Sequence, residues 1–252
     1  MTNTAKKNFK SVWKNCSPDM NKAIRSDAKA RNIYEVKRSS KRIRYTKTAS
    51  VYKLRNIQDG KFQAIQVKSI NKADGIRNIG PVKGSGFYAA GKFDAERVIL
   101  CEGPEDAISL RVLGVDHSIF ATMGVAGMIN YSPHANTKVV IIFADRDETG
   151  IDAAFQAREK CRSLGLICNI IDLPDAKDPN DFLMNYWDGK PIDIPESAYL
   201  ENLAFPQRTL KKSQLIVPVA LNDLMLQPDK KIEYIVPGRI PVGLTLIAGA
   251  PV

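Results

Sequence analysis

The run Lys138-Val-Val-Ile-Ile-Phe-Ala-Asp145 decides the fold, because it is apolar almost throughout and closes on an acid followed by Arg146-Asp147-Glu148-Thr149-Gly150. A strand with one wet face alternates apolar and polar residues, whereas an unbroken apolar run marks a strand covered on both faces, as in a parallel sheet. Shorter runs of the same kind flank it: residues 97–102 (RVILCE) and 118–123 before it, and residues 166–173 after it. Between them lie two helical patterns. Residues 104–113 open with Pro104 and two acids, placed where a helix N-terminus favours them. Residues 149–164 carry Ile151, Ala154, Phe155 and Leu164 roughly on one face. Alternating strand and helix predict an α/β domain over residues 95–187, with a mainly parallel sheet and right-handed crossovers.

Outward from this domain the texture changes on both sides. Residues 1–40 are rich in Lys, Arg, Asn and Ser, and read as a basic arm or small helical piece in which Ser17-Pro18-Asp19 starts a helix. Residues 41–94 read as a basic β-rich subdomain. Its hairpin turns at Asp59-Gly60, which accepts positive φ, and it closes on the glycine-rich stretch from Gly80 to Tyr88. Residues 188–241 are interrupted by Pro191, Pro195, Pro206, Pro218, Pro228, Pro237 and Pro241, and read as a connector with one short helix near residues 221–226. The last stretch, 242–252, is an apolar strand running into a glycine loop.

Composition bounds the function classes. The chain has 252 residues, 44% apolar and 25% charged, enough to bury one or two cores. It holds no apolar run of the roughly 18–20 residues that span a membrane, and its N-terminus lacks the apolar stretch of a secretory signal. The expectation is a soluble cytoplasmic protein. Its four cysteines are widely spaced, which gives neither a disulfide framework nor a zinc ribbon. The net charge of +10 is unevenly spread. Residues 1–97 hold 23 Lys/Arg against 7 Asp/Glu, while residues 98–252 hold 14 against 20. A basic first third suits phosphate binding, although charge alone equally describes a solvated surface.

The acids of the second part are ordered. Glu102-Gly-Pro-Glu-Asp106 follows the first strand, Asp145-Arg-Asp147 follows the third, and Asp178-Pro-Asn-Asp follows the fourth. Ligands of open α/β sheets bind at the carboxyl ends of the strands, so Glu102, Asp106, Asp145, Asp147 and Asp178 are expected on one crest. Alone, each cluster reads as a turn or helix cap. Together they repel one another unless cations intervene, and oxygen ligands without His or Cys select Mg²⁺ or Mn²⁺. The chemistry such ions support is phosphoryl transfer or phosphodiester hydrolysis.

EGxxDA, then DxDxxG, then DPND, each after an apolar strand, resembles the Toprim domain of bacterial-type primases and of phage and plasmid primase-helicases. The resemblance implies a Rossmann-like sheet with Glu102 as general base or acid at a nucleotide 3′ hydroxyl. It gives Asp145 and Asp147 as metal ligands, with Asp106 and Asp178 as further acidic positions. Asn180 stands where some bacterial primases have Asp. The resemblance extends to the basic β-region, where Lys83, Arg77 and Arg146 are the candidates for contacting template or nucleotide. The zinc ribbon that primases commonly carry is not seen, a departure from the pattern.

Residues 243–252 (GLTLIAGAPV) resemble the strand and loop that open a RecA-type helicase ATPase, with Gly249 to Val252 matching the first four residues of a P-loop; a plain terminal strand is the alternative. The expected function is a DNA primase making RNA primers on single-stranded DNA from ribonucleoside triphosphates, in phage or plasmid replication, with a replicative helicase as partner. A Toprim nuclease and a non-catalytic nucleic-acid-binding module are the alternatives.

Overall fold

The computed structural model describes residues 8–173 and 175–203. Three short helices come first: α1 (Asn8–Asn15), α2 (Lys22–Ala30) and α3 (Tyr34–Ser39). Five strands follow, β1 (Ile43–Tyr45), β2 (Ala49–Asn56), β3 (Phe62–Ser69), β4 (Ile76–Ile79) and β5 (Ser85–Ala90). The alternating part then runs β6 (Arg97–Cys101), α4 (Pro104–Val112), β7 (Ser118–Ala121), α5 (Val125–Ile129), β8 (Val139–Phe143), α6 (Glu148–Ser163), β9 (Ile167–Ile171), α7 (Pro179–Asn185) and α8 (Ser197–Leu200).

All of these strands belong to one sheet. Its order is β4-β3-β2-β5-β7-β6-β8-β9, with β1 paired to β2. Strands β7, β6, β8 and β9 are parallel, as their unbroken apolar runs predict, and β8 is buried along its whole length. Strands β1 to β5 are antiparallel. The basic strands and the α/β part meet at β5, which pairs with β2 through Arg55 opposite Gly86 and Asn56 opposite Ser85, and with β7 on its other side. The hairpin turn falls where Asp59-Gly60 places it, with Gly60 at φ 65°.

Two apolar layers cover the sheet. On one face, Ile24 and Ala28 of α2 and Ala107, Ile108 and Leu110 of α4 pack with Tyr52, Phe87, Ile99 and Ile141. On the other, Ala153, Ala154 and Ala157 of α6 pack with Leu100, Val140 and Ile142. Burying a side chain such as Ile24 contributes about 1.5–3 kcal/mol.

Residues 8–40 take the helical form of the two readings. Phe9 and Trp13 of α1 lie on Val51 and Ile65, and Phe62 meets the Phe9 ring edge-on with centroids 5.0 Å apart. The helix expected at Pro18 starts later. Ser17 is held in an isolated bridge by backbone hydrogen bonds with Tyr45, so Asn21 caps α2 instead, its Oδ1 accepting the Ile24 N–H at 3.0 Å. Among the described residues no helix is long and apolar enough to cross a membrane. The helix expected near 221–226 and the strand at 242–252 lie outside the described residues.

Candidate active site

The chain leaves β6 for β7 on one side and, after β8, goes to β9 on the other. Helices α4 and α6, which follow β6 and β8, accordingly lie on opposite faces. The carboxyl ends of β6 and β8 therefore flank a topological switch point, where open α/β sheets form their ligand crevice. Glu102 follows β6 and Asp145 follows β8. A cleft of about 390 Å³ opens there, bordered by Glu102, Asp106, Asp145 and Asp178. It is bordered as well by residues of the N-terminal helices and the basic strands: Arg31, Gln66, Lys68 and Asn78. The size suits a small ligand such as a nucleotide.

Local structure explains each acid's position. Asp106 accepts the Gly103 N–H at 3.0 Å and so closes the first turn of α4. Asp147 caps α6 with Oδ1, accepting from Gly150 N and Thr149 Oγ1, both at 2.8 Å. Asp178 caps α7 with Oδ1 on the Asp181 N–H at 2.8 Å. The helix-cap reading and the site reading thus hold for the same residues. Gly150 has its own steric reason, since a Cβ there would stand 2.7 Å from the Asp145 carbonyl oxygen and 2.9 Å from the Asp145 Cβ.

The acids load one another. Burial, then Glu102, Asp178 and Asp147, push the Asp145 carboxyl up to about 7, with Lys177 opposing. Burial and then Asp145 and Asp178 drive Asp106 well above the carboxylate range. Burial and Asp147 raise Glu102, while Lys177 and the Val125 N–H pull it down. Asp147 moves the other way, held low by the hydrogen bonds from Gly150 and Thr149. Asp145 Oδ1 is buried with no hydrogen-bond partner. Among the described residues no group of three or more Asp, Glu, His or Cys is gathered tightly enough to hold an ion. The donor set nevertheless fits a hard cation by its chemistry: crowded carboxylate oxygens, one of them buried and unpartnered.

Of the residues the sequence singled out, Glu102, Asp106, Asp145 and Asp178 border one cleft, and Asp147 adjoins them electrostatically. Lys83 borders a different cavity, with Ile57, Phe120 and Tyr131. Arg77 stands opposite Val67, whereas its neighbour Asn78 stands opposite Gln66 on the cleft side. Arg146 is exposed and reaches Asp172 at 3.5 Å. The cations that do line the cleft, Arg31 and Lys68, were not singled out by the sequence. Both are held by the buried carboxylate of Glu105, at 3.2 and 2.7 Å. Lys37 Nζ, fully buried, approaches the same carboxylate at 3.6 Å, and the Tyr52 hydroxyl donates to it at 3.4 Å. Burial raises Glu105, but Lys68, Lys37 and Arg31 together outweigh it and hold the carboxyl below its usual range.

Residues 97–186 match a family model described as Toprim domain. A DNA primase of Clostridium acetobutylicum is 29% identical over 130 residues, which is 48% of this chain and 22% of that protein. A DNA primase of Geobacillus stearothermophilus is 32% identical over 92 residues, 36% of this chain and 15% of that protein. The chain thus spans about a fifth or less of the length of these relatives. Among solved structures, the primase fragment of the bacteriophage T7 primase-helicase protein aligns over 58% of this chain and 63% of its own, at 18% identity and a TM-score of 0.45.

Proposed function

Because residues 97–186 form a Toprim domain, we propose that this chain is the nucleotidyl-transfer part of a DNA primase, building RNA primers on single-stranded DNA from ribonucleoside triphosphates. The observation that carries the reading is the convergence of Glu102, Asp106, Asp145 and Asp178 on one cleft that the cations Arg31 and Lys68 also border. Acids and cations bordering one cleft suit a ligand that is itself a metal-bound polyphosphate.

In this reading Asp145 and Asp147, with Asp106 and Asp178 beside them, hold Mg²⁺ or Mn²⁺. Ions held there would supply neutralisation of charge on the transferring phosphate. Lys68 and Arg31 orient phosphate oxygens, fixed in place by Glu105. Glu102, whose proton affinity is raised by its surroundings, takes the proton from the attacking 3′ hydroxyl. Lys83, Arg77 and Arg146 contact the template or the growing strand from outside the cleft. The relatives named above, both DNA primases, favour this reading over a nuclease or a non-catalytic module. A replicative helicase is the partner suggested by the sequence of residues 243–252, in the cytoplasm of a bacterial or phage-infected cell.

Primer synthesis on single-stranded DNA with labelled ribonucleotides and Mg²⁺ or Mn²⁺ tests it, with Asp145→Ala alongside. Primers that disappear in the variant support the proposal. Template shortening would instead make the protein a nuclease, and tight salt-sensitive binding without either product would make it a scaffold.

A further inference from the structure

The cleft also holds a polar group that the transfer reading does not use. Gln66 is 4% exposed and borders the cleft. Its Nε2 donates to Asn78 Oδ1 at 3.2 Å across the β3–β4 pair, while its Oε1 is buried without any hydrogen-bond partner. A buried amide oxygen left without a donor is costly, so native proteins retain few of them. Along the chain's described residues only Asp145 Oδ1 shares this condition, and it borders the same cleft.

The two orphans differ in charge, and so in the partner they ask for. Asp145 stands among carboxylates and calls for a cation. Gln66 offers a neutral acceptor in a cleft already crowded with anions, and calls for a neutral donor. Its place narrows the donor further. Gln66 and Lys68 lie on the same face of β3, two residues and therefore about 7 Å apart, which is the reach of a sugar from its phosphate. Asn78 fixes the other end of the amide, so the acceptor is aimed before any ligand arrives.

Resting on the nucleotidyl-transfer reading, we infer that Gln66 is a substrate-binding residue whose Oε1 accepts a hydrogen bond from a neutral donor of the bound nucleotide, either a sugar hydroxyl or a base amino group. Such a contact discriminates strongly, because an analogue that lacks the donor leaves the buried acceptor unpaired again.

The test is equilibrium binding of the full chain to the Mg²⁺ complexes of ATP, 2′-deoxy-ATP, 3′-deoxy-ATP and purine riboside triphosphate, which lacks the base amino group. Wild type, Gln66→Met and Gln66→Glu are compared. Wild type is expected to bind one analogue roughly ten-fold more weakly than ATP. Loss with a deoxy compound assigns the donor to the sugar, and loss with purine riboside assigns it to the base. Gln66→Met should bind all four alike, at the weak level. Equal binding of all four by wild type overturns the inference whether or not the variants fold, and so does a Gln66→Met protein that keeps the wild-type ratios. Should Gln66→Met fail to fold, Gln66→Glu, which retains an acceptor, is expected to keep selectivity, and its loss there overturns the inference. Primer extension separates this from the reading beneath it. A wild type with the expected selectivity that makes no primer refutes nucleotidyl transfer and leaves the contact standing. A primer-making wild type whose selectivity survives Gln66→Met refutes the contact alone.

Discussion

Lys68 Nζ lies 2.7 Å from Glu105 Oε2, so the third strand of the basic region and the first helix of the α/β part are joined by an ion pair whose carboxylate is almost fully buried. Arg31, at the end of α2, reaches the same oxygen at 3.2 Å. One carboxylate therefore touches both cations that border the cleft, sharing Arg31 with Asp27, which lies 3.1 Å from its Nε.

Removing that carboxylate leaves the buried Lys37 without its counter-charge. Glu105→Ala should destabilise the chain by about 3–5 kcal/mol, seen as a lower urea midpoint. Because Lys68 loses its anchor and Arg31 keeps only Asp27, nucleotide affinity should fall even at temperatures where the variant remains folded. Unchanged affinity in the folded variant would mean that the two cations do not meet the ligand.

Asp145 is expected to sacrifice stability for function. Asp145→Asn relieves the repulsion among the acids, so the metal-free thermal midpoint should rise by about 2–4 °C, the effect of roughly 1 kcal/mol in a chain of this size. The same change should abolish the upward shift that Mg²⁺ produces in wild type. Thermal scans with Mg²⁺ and with EDTA read both effects, and a variant that still responds to Mg²⁺ would remove Asp145 from the metal site.

Asn180 donates from Nδ2 to Ser109 Oγ at 3.0 Å and to the Arg31 carbonyl oxygen at 3.3 Å. The Ser109 hydroxyl is already donating to the Glu105 carbonyl oxygen at 2.8 Å, so both partners need a donor at position 180. Asn180→Asp should cost about 1–3 kcal/mol in denaturant titration, with no recovery on adding Mg²⁺. Recovery by the ion would show that a carboxylate at 180 can serve as a ligand.

Gly150→Ala places a methyl group against the backbone of Asp145. Overpacking of this kind costs about 1–3 kcal/mol, and here the displaced residue borders the cleft. Primer synthesis should fall by more than ten-fold while cooperative unfolding persists. Full activity would show that Asp145 tolerates the shift.

The parallel strands and the crest of acids were legible because their signals are local: unbroken apolar runs, each followed by carboxylates at fixed spacing. The helix-cap roles of Asp147 and Asp178 were legible for the same reason, since a cap bonds the residue three places on. The packing of α1 and α2 was less so. Phe9, Trp13, Ile24 and Ala28 are too sparse to announce a core, and their burial depends on strands distant in sequence. Lys68 and Arg31 were hidden altogether, being brought to the cleft by a carboxylate 37 and 74 residues away. The short strand β5 was masked by Gly86 and by the glycines just before it, although it joins the two halves of the sheet.

That junction governs how the cleft can behave. Lys68 lies on, and Glu102 and Asp145 just beyond, strands of one hydrogen-bonded slab, linked where Arg55 and Asn56 lie beside Gly86 and Ser85, so spreading its jaws would mean tearing backbone bonds rather than swinging a hinge. Traffic must pass over an open rim, and the gauge of the notch is set by the spacing between strands.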